Sequence, residues 1–447
     1  FRELVGHYQS DAIYVNESGI KGKLFNNSFF TIGRSALNIQ GFPSALENIE
    51  VFASNLTVFK GKNLNTETRY GAFGFDFGRS YTDCRITLKN SYIHAQNNRS
   101  VRDDTGAIFT SDSTNNITSD VYNFGSNQTT NTLISFHNDD RGELFLSPIE
   151  DRLKGQGVDL SSDSILPFNV DITGKTRTNW DVGAFENATS IMRSVAAGDT
   201  QSLATGTANQ LTISSGVATF TANLPYYIGS GDALQYDSDN NGSIDSVIFL
   251  YRRNSATSFN VKNADGSTPS DMAIADQDWS IYRAYTSLTN AANGVENTGL
   301  NDAIENFDTW SIGRDLVAND EKWSIALYNY NNSADSSNVN FIKDNGTPQW
   351  ITDTSHFLNI FTPNNSNYVE RSQRHIGVWD DSKYVLAPNS GGTALALNVD
   401  YIYVDGLQIK PNGSSGSKGI SKQGFSGERS ENFFISNNII AGSGSDN

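Results

Sequence analysis

The densest group of candidate metal ligands is the nine-residue segment Asp237–Asp245, DSDNNGSID. Oxygen ligands stand at positions 1, 3, 5 and 9, with a backbone carbonyl at position 7, and a glycine stands at the sixth position, where a tight loop needs a sharp turn. Hard cations such as Ca²⁺ are bound by several convergent oxygens, and this spacing can deliver them. The sequence therefore predicts a weak, structural calcium site. Its candidate ligands are Asp237, Asp239, Asn241, Ser243 (through the backbone carbonyl) and Asp245.

The segment matches only the first nine positions of an EF-hand-type calcium loop. Ile248 stands at position 12, where the full motif carries a bidentate Glu, and the flanking residues alternate as strands do. The pair Asn241-Gly242 is also a strong hairpin turn. A polar hairpin tip without an ion is therefore the alternative interpretation.

The composition is typical of a folded, turn-rich β protein. Of 447 residues, 37% are apolar and 18% are charged, and much of the polarity comes from Asn, Ser, Thr, Asp and 38 Gly. The net charge of −17 argues against a nucleic-acid partner, because phosphate backbones require a basic surface. Cys84 is the only cysteine, so no intramolecular disulfide can form, and a buried thiol is expected. No apolar run approaches the roughly 20 residues of a transmembrane helix, so no membrane span is predicted.

A short apolar template recurs along the chain. Two alternating apolar residues are followed by a corner containing Asn or Gly, and then by a third apolar residue at i+7. Each copy has an apolar face too short to bury itself, so the copies are predicted to stack as a solenoid, with corner amides hydrogen-bonded from coil to coil. The copies are Leu24 and Phe29 around Asn26-Asn27; Ile49, Val51 and Leu56; Ile86, Leu88 and Ile93; Ile402, Val404 and Ile409; and Phe433, Ile435 and Ile440 around Asn437-Asn438.

This pattern resembles the right-handed parallel β-helix, or pectate-lyase-like, family. A second resemblance lies in Asp171–Glu186, where Asp171, Gly174 and Arg177 are followed by DVGAFE. This phrase is similar to the segment that ends many extracellular bacterial β-helix proteins. The resemblance implies an all-β fold with a β-helix that is capped here, an extracellular or cell-surface location, and no catalytic residue in the cap.

The predicted organisation splits the β-helix between the two ends of the chain. The predicted regions are C-terminal coils at 1–150, a terminating segment at 151–187, a small β-sandwich or barrel module at 188–285, and a helical cap followed by first coils at 286–447. The helical cap is predicted around Thr298–Asn306. Gly71–Gly78 and Ser111–Thr130 are expected to project from the coils as loops.

No recognisable catalytic signature accompanies this fold. A glycoside hydrolase needs two carboxylates flanking the scissile bond, and adjacent aspartates on a strand point to opposite faces. We interpret the acidic pairs as solvated loop residues and the protein as a non-enzyme. The pairs are Asp103-Asp104, Asp139-Asp140 and Asp380-Asp381, and the basic residues considered for a lyase are Arg141, Lys154, Arg177, Arg371 and Arg374.

Four tryptophans are a further hypothesis, as a platform on which sugars stack. Core packing is the commoner role of Trp and is the alternative. The four are Trp310, Trp323, Trp350 and Trp379.

The sequence favours a structural extracellular protein. An open β-helix end exposes unpaired backbone groups and apolar side chains, and contacts that do not close generate fibres. The expected partner is another copy, head to tail through the Asn447 and Phe1 ends, as a covalent tandem repeat or as a subunit of a filament, surface fibre or adhesin-like array. The alternative is a polysaccharide-binding or polysaccharide-degrading (lyase or hydrolase) β-helix protein with glycan partners, supported by fold-level analogy.

Overall fold

The protein is all-β, and its chain divides into two compact units, Phe1–Asn187 and Ala188–Asn447. The computed structural model describes residues 2–4, 11–32, 35–39, 46–59, 73–77, 81–94, 100–103, 108–138, 142–272, 275–308, 310, 313–342, 350–411, 413, 416–422 and 432–442. The one helix in these ranges has six residues, too few to cross a membrane. The expectation for the Phe1 and Asn447 ends falls outside the described residues.

The first unit is built mainly from short parallel strands. Its described strands are β1 (Arg2–Leu4), β2 (Asp11–Val15), β3 (Lys21–Phe25), β4 (Ser28–Ile32), β5 (Ser35–Ile39), β6 (Leu46–Ser54), β7 (Thr57–Phe59), β8 (Phe73–Phe77), β9 (Tyr81–Lys89), β10 (Tyr92–His94), β11 (Val101–Asp103), β12 (Ile108–Phe109), β13 (Ile117–Thr118), β14 (Phe136–Asn138) and β15 (Glu143–Leu146). From β1 to β13 the chain visits three parallel sheets in rotation, β1-β4-β7-β10-β13, β2-β5-β8-β11 and β3-β6-β9-β12. β14 and β15 form an antiparallel pair.

Circuits of this unit turn a corner at an asparagine in the left-handed conformation, which Asn tolerates better than most residues. These corners are Asn26 (φ 50°), Asn55 (φ 51°) and Asn90 (φ 50°). One coil-to-coil amide bond of the expected kind is present, from Asn90 Nδ2 to Asn55 Oδ1 at 3.4 Å. The same side chains also donate to backbone carbonyls, Asn90 to Val158, and Asn55 to Asp181 and Gly183. The corner asparagines therefore divide their hydrogen bonds between each other and the segment that covers them.

The strand register corrects one copy of the predicted template by two residues. The template aligned Ile49 and Val51 with Ile86 and Leu88, whereas the strands pair Val51 with Ile86 and Ala53 with Leu88. The error arose because a shift of two residues keeps every side chain on the same face of a strand. Ile49, Val51 and Ala53 are all buried, so apolar character alone could not choose between the two registers.

Two segments expected to project as loops are instead part of the stacked strands. Phe73–Phe77 forms β8, with Phe75 and Phe77 buried on one face, because the aromatic residues recur with the two-residue period of a strand. Within Ser111–Thr130, β13 and isolated parallel bridges continue the stacking. Cys84 is buried in the same core, as predicted.

Residues 155–187 cover the asparagine corners along the side of the stack. Carbonyl groups of this segment accept hydrogen bonds from three corner side chains: Gln156 from Asn115, Val158 from Asn90, and Val170 from Asn26. The buried Arg177 donates to Asn26 Oδ1 at 3.0 Å and to the carbonyls of Gly183 and Ala184. Glu186, the last residue of the motif, accepts from the backbone of Thr178, Asn179 and Asp181. The predicted terminating segment thus binds itself and, through Arg177 and several carbonyl groups, the asparagine corners at the side of the parallel strands.

The second unit combines parallel and antiparallel strands. Its described elements are β16 (Thr189–Ala196), β17 (Ala204–Thr205), β18 (Leu211–Ser214), β19 (Val217–Phe220), β20 (Ala233–Tyr236), β21 (Ser246–Arg253), β22 (Ser258–Lys262), β23 (Trp279–Tyr282), α1 (Leu288–Asn293), β24 (Glu321–Tyr328), β25 (Val339–Ile342), β26 (Leu358–Phe361), β27 (Val385–Leu386), β28 (Thr393–Asn398), β29 (Ile402–Asp405), β30 (Gln408–Ile409), β31 (Lys418–Ser421), β32 (Phe433–Ser436) and β33 (Ile439–Ile440).

An antiparallel sheet is inserted into a parallel stack. The parallel sheets are β16-β24-β26-β29-β32, β25-β28-β31 and β27-β30-β33, and the antiparallel sheet runs β17-β23-β20-β21-β22-β19-β18. β16 pairs with β24 along its whole length, from Thr189 opposite Glu321 to Ala196 opposite Tyr328. The chain therefore lays down one strand of the stack, builds the antiparallel sheet, and then returns to the stack.

The helix lies earlier than the sequence predicted. Residues 298–306 form turns, so the prediction of a helix there was wrong. Helix α1 begins after Ser287, whose hydroxyl accepts a hydrogen bond from the backbone N–H of Asn290, and ends at Gly294 with φ 68°. The capping serine and the closing glycine are strong boundary signals. The later segment buries Leu300 and Ile304, four residues apart as on a helix face, but its backbone forms only turns.

Two buried arginines link the antiparallel sheet to the parallel stack. Arg193, on β16, pairs with Asp308 at 2.6 Å, and its guanidinium lies 3.6 Å from the ring centroid of Phe249 on β21. Arg283, directly after β23, lies 3.8 Å from the ring centroid of Tyr328 on β24. Charge and ring contacts therefore fix how the inserted sheet sits on the stack.

Candidate functional site

The acidic segment is the tight connection between β20 and β21. These strands are antiparallel, with Tyr236 opposite Ser246. Asp237 Oδ1 accepts from the N–H of Asp239 at 3.2 Å, and its Oδ2 accepts from the N–H of Gly242 at 2.6 Å. Gly242 has φ 86°, a conformation that glycine adopts at little steric cost. The sequence pattern thus folds the segment back onto its first aspartate.

Three of the predicted ligands converge in this loop. One carboxylate oxygen from each of Asp237, Asp239 and Asp245 lies within 4.8 Å of the other two. Asn241 Oδ1 accepts from the N–H of Ser243 at 3.0 Å, which keeps the middle of the loop closed. Two oxygens bound to one Ca²⁺ at 2.3–2.6 Å are at most about 5 Å apart, so the spacing of the carboxylates suits that ion.

Hydrogen bonds hold the first and last aspartates of the loop in their ionised form. Burial raises the pKa of Asp237, but backbone N–H donors, foremost that of Gly242, outweigh it, and the pKa lies below its usual value. Burial also raises the pKa of Asp245, and hydrogen bonds, foremost from the Ser238 backbone, again bring the pKa below its usual value. Both carboxylates therefore remain charged well below neutral pH.

Sequence reasoning missed two further aspartates beside this loop. Asp276 and Asp278 precede β23, and the antiparallel pairing of β20 with β23 sets Tyr236 opposite Trp279. One oxygen from each of Asp237, Asp276 and Asp278 lies within 4.8 Å of the other two. The local signal was an acidic i, i+2 pair directly before a strand. Only the pairing of two strands distant in sequence connects that signal with the loop.

The remaining candidate catalytic residues hold local structural roles or fall outside the description. The unplaced residues are Asp104, Asp139, Asp140 and Arg141, together with the side chain of Asp103. Asp380 accepts from the backbone of Ser382, and Asp381 accepts from the indole N–H of Trp379. Arg374 forms an ion pair with Asp405. Asp380, Asp381 and Arg374 therefore make hydrogen bonds and an ion pair of the kind that stabilises loops and strands.

Three of the four tryptophans proposed as a sugar platform pack together in the core. Trp323 and Trp350 are each 1% exposed. Trp310 lies edge-on to Trp323, with ring centroids 4.4 Å apart. Core packing, the alternative interpretation, is the role of these three side chains.

A polar cavity of about 400 Å³ lies in the second unit, beside the loops that follow β24 and β26. The Arg371 guanidinium lies 5.6 Å from the ring centroid of Tyr226. Asp199 is buried, burial raises its pKa, and its Oδ2 has no hydrogen-bond partner among the described residues. The charged and aromatic residues that line the cavity are Asp199, Tyr226, Tyr227, Arg283, Tyr330, Arg371 and Lys383.

The last described strands of the parallel stack in the second unit expose their apolar side chains. Strands β31, β32 and β33 each pair with a described strand on one side only. The positions paired across the last two coils are Ile402 with Phe433, Val404 with Ile435, and Ile409 with Ile440. The first member of each pair is 0% exposed, whereas the second members are 46%, 43% and 51% exposed. Among the described residues, therefore, no further strand covers the apolar template residues of β32 and β33.

The first unit shows a related edge at β3, which is the last strand of its sheet. Phe25 is 45% exposed there, and Leu24 is half-buried. The open strand edges, the polar cavity and the acidic loop are thus the candidate functional features among the described residues. No protein-family model matches the chain, and neither the curated proteins nor the solved structures contain a significant match.

Proposed function

We propose that the protein is a structural extracellular protein, built as a right-handed parallel β-helix that associates with other copies through its open coil edges. The rotation of the chain through three parallel sheets supports the β-helix interpretation, since every circuit adds one strand to each sheet. The asparagine corners with nearly identical φ support it as well. On this proposal the protein builds a filament, surface fibre or adhesin-like array and is not an enzyme.

The observation that carries the proposal is the open edge at β32 and β33. Unpaired strand edges are templates for further strands, and burial of apolar surface contributes about 25 cal/mol per Å². A second copy is the favoured occupant because the β3 coil has the same corner, with φ 50° at Asn26 against 53° at Asn437. Such a contact joins unlike surfaces and does not close, so it propagates into a fibre.

Sedimentation velocity across a range of concentrations tests the proposal. We expect species at multiples of 48.8 kDa that grow with concentration. Ile435→Lys should shift the distribution toward the single chain, because it places a charge in the proposed joint. Val378→Lys is the matched control, since Val378 is 65% exposed and lies outside the strands. A wild-type chain that stays at 48.8 kDa at every concentration would contradict the proposal.

The polar cavity favours glycan binding as a second candidate function. Its aromatic, amide and charged lining has the chemistry of a saccharide site, in which a few polar groups orient a ligand against an aromatic side chain. Arg371 and Lys383 supply positive charge in a chain with a net charge of −17, which favours an acidic sugar. Calorimetric titration with uronate oligosaccharides should show binding that Arg371→Ala weakens and that Lys410→Ala, outside the lining, leaves unchanged. Absence of heat with all such sugars would remove this candidate.

We also propose that Asp237–Asp245 binds Ca²⁺ as a structural ion that ties β20 to β21. An ion bound only by the folded state stabilises it by about 2.7 kcal/mol when its free concentration is about 100 times the dissociation constant. Thermal unfolding should therefore occur at a higher temperature in calcium than in chelator. Asp245→Asn should reduce that difference, and an identical unfolding temperature in both conditions would count against the site.

A further inference from the structure

We propose a second divalent-cation site, formed by Asp237, Asp276 and Asp278 and adjoining the calcium loop. The ligand is a hard cation such as Ca²⁺, because the donors are carboxylate oxygens. Asp237 belongs to both sites, so the inference shares one residue with the proposed loop site but has two ligands of its own. It places the ion where β23 begins beside the end of β20.

The backbone brings these three residues together independently of any ion. The N–H of Asp237 donates to the carbonyl oxygen of Asp278 at 3.0 Å, immediately beyond the Tyr236–Trp279 pair. The side chain of Asp276 is anchored as well, since its Oδ1 accepts from the N–H groups of Gln277 and Asp278 at 2.6 Å and 3.0 Å. The carboxylate oxygens that would bind the ion are therefore pre-positioned, which lowers the entropy lost on binding.

The observation that points to a ligand is the second oxygen of Asp276. The residue is 6% exposed, and its Oδ2 is buried with no hydrogen-bond partner among the described residues. A buried polar atom without a partner is costly, and the cost is larger for an ionised group. A cation coordinated by this oxygen would supply the missing interaction.

The local concentration of negative charge also favours a cation at the same place. Four carboxylates surround that of Asp237, and none of the ion pairs found among the described residues involves any of the five. Like charges at these separations repel one another, the more so where solvent is excluded. One cation among Asp237, Asp239 and Asp245 leaves Asp276 and Asp278 without a cation of their own, which favours a second position beside the buried Asp276.

The carboxylate of Asp237 has the capacity to bridge two ions. An ionised carboxylate offers about four lone-pair sites. Two are used by the N–H groups of Asp239 and Gly242, which leaves one on each oxygen.

Calcium calorimetry and terbium luminescence on the full chain, stripped with chelator, test the second site. Trp279 follows Asp278 in the chain and should sensitise terbium bound there. We expect two ions per chain for the wild type, and one for Asp276→Asn and for Asp278→Asn, with the tryptophan-sensitised signal reduced at least fivefold. Asp271→Asn, at an exposed carboxylate that accepts from the backbone of Ser215, is the matched control and should behave as wild type.

The outcomes separate the two metal proposals. One ion per wild-type chain, lost in Asp245→Asn and retained in Asp278→Asn, overturns the second site and leaves the loop site standing. Wild-type stoichiometry in both Asp276→Asn and Asp278→Asn also overturns it. No binding of either metal to the wild type overturns both sites. Far-UV circular dichroism of each variant shows whether the fold is kept, and the exposed Asp278 is the variant least able to disturb it.

Discussion

The two parallel stacks of this protein protect their sides in different ways. In the first unit, residues 155–187 lie along the asparagine corners, and Asn55 and Asn90 are fully buried beneath them. In the second unit, an antiparallel sheet is attached to the stack, while the corner at Asn437 stays exposed. Stacked strands alone therefore determine neither how the sides of a coil are covered nor by what kind of segment.

In both units, a buried arginine lies where the parallel stack contacts the segment or sheet that covers it. In the first unit Arg177, which pairs with Glu186 inside the covering segment, donates to Asn26 of the stack. In the second unit Arg193 of the stack, which pairs with Asp308, lies over the ring of Phe249 in the inserted sheet. Burying an ion pair adds little net stability, but removing one partner leaves an uncompensated charge in the interior. Such pairs therefore raise the free energy of an incorrectly packed arrangement more than they lower the free energy of the correct one.

Arg193→Met is expected to have the largest effect. It leaves the buried Asp308 carboxylate without its bidentate partner and removes the cation beside Phe249, so the free energy of unfolding should fall by about 3–5 kcal/mol. Urea unfolding, with hydrogen exchange by mass spectrometry to locate the loss, should show it in the second unit. Adding Asp308→Leu to this variant should recover part of the stability, whereas an unchanged value would contradict a charge-based joint.

Arg177→Met should destabilise the first unit by about 3 kcal/mol, at the lower end of the same range. Its guanidinium makes most of its bonds to carbonyl oxygens, and Glu186 is 3.5 Å away, so less ionic charge is left unpaired. Hydrogen exchange should increase in residues 155–187 first. Lys21→Met is the control, because that side chain is 78% exposed and its pair with Glu50 contributes little. Equal effects of both substitutions would remove the distinction between joint and surface.

Two corner asparagines allow the covered and uncovered corners to be compared directly. Asn55 and Asn437 have φ 51° and 53°, so replacement by alanine strains both backbones equally. Asn55→Ala also removes one of the two side-chain donors to the carbonyls of Asp181 and Gly183, which Arg177 still serves, and this costs about 1 kcal/mol more. Chemical denaturation should therefore show the larger loss for Asn55→Ala. Equal losses would mean that the covering segment contributes nothing at the corner.

The smallest expected effect is a pH dependence at Asp353. Burial raises its pKa, but the hydrogen bond and charge of His356 outweigh it, so the folded pKa lies below the unfolded value of about 3.9. The stabilisation is therefore present above about pH 4 and is lost as the pH falls through the folded pKa. Because the carboxylate is 43% exposed, solvent screening limits it to under about 1 kcal/mol. Asp353→Asn should differ from wild type at pH 7 and converge with it in acid, and a constant difference would contradict the assignment.

The sequence by itself determined the strand character and the corners of the stacks. A strand alternates its side chains with a two-residue period whatever its neighbours, so Ile86, Leu88 and Ile93 could be placed on the core face from local pattern alone. Asparagine is favoured at corners because it tolerates positive φ, which is again a local property. The spacing of Asp237, Asp239 and Asp245 could also be recognised from sequence, because the three residues belong to one short continuous segment.

The tertiary structure alone decided register, covering segments and the full acidic cluster. A shift of two residues leaves the pattern around Val51 unchanged, so only the pairing with Ile86 could select the register. The convergence of Asp276 with Asp237 required β20 and β23 to pair across a long separation in the chain. Local sequence carries side-chain direction and turn chemistry, whereas these contacts depend on which of several equivalent faces meet when the whole chain packs.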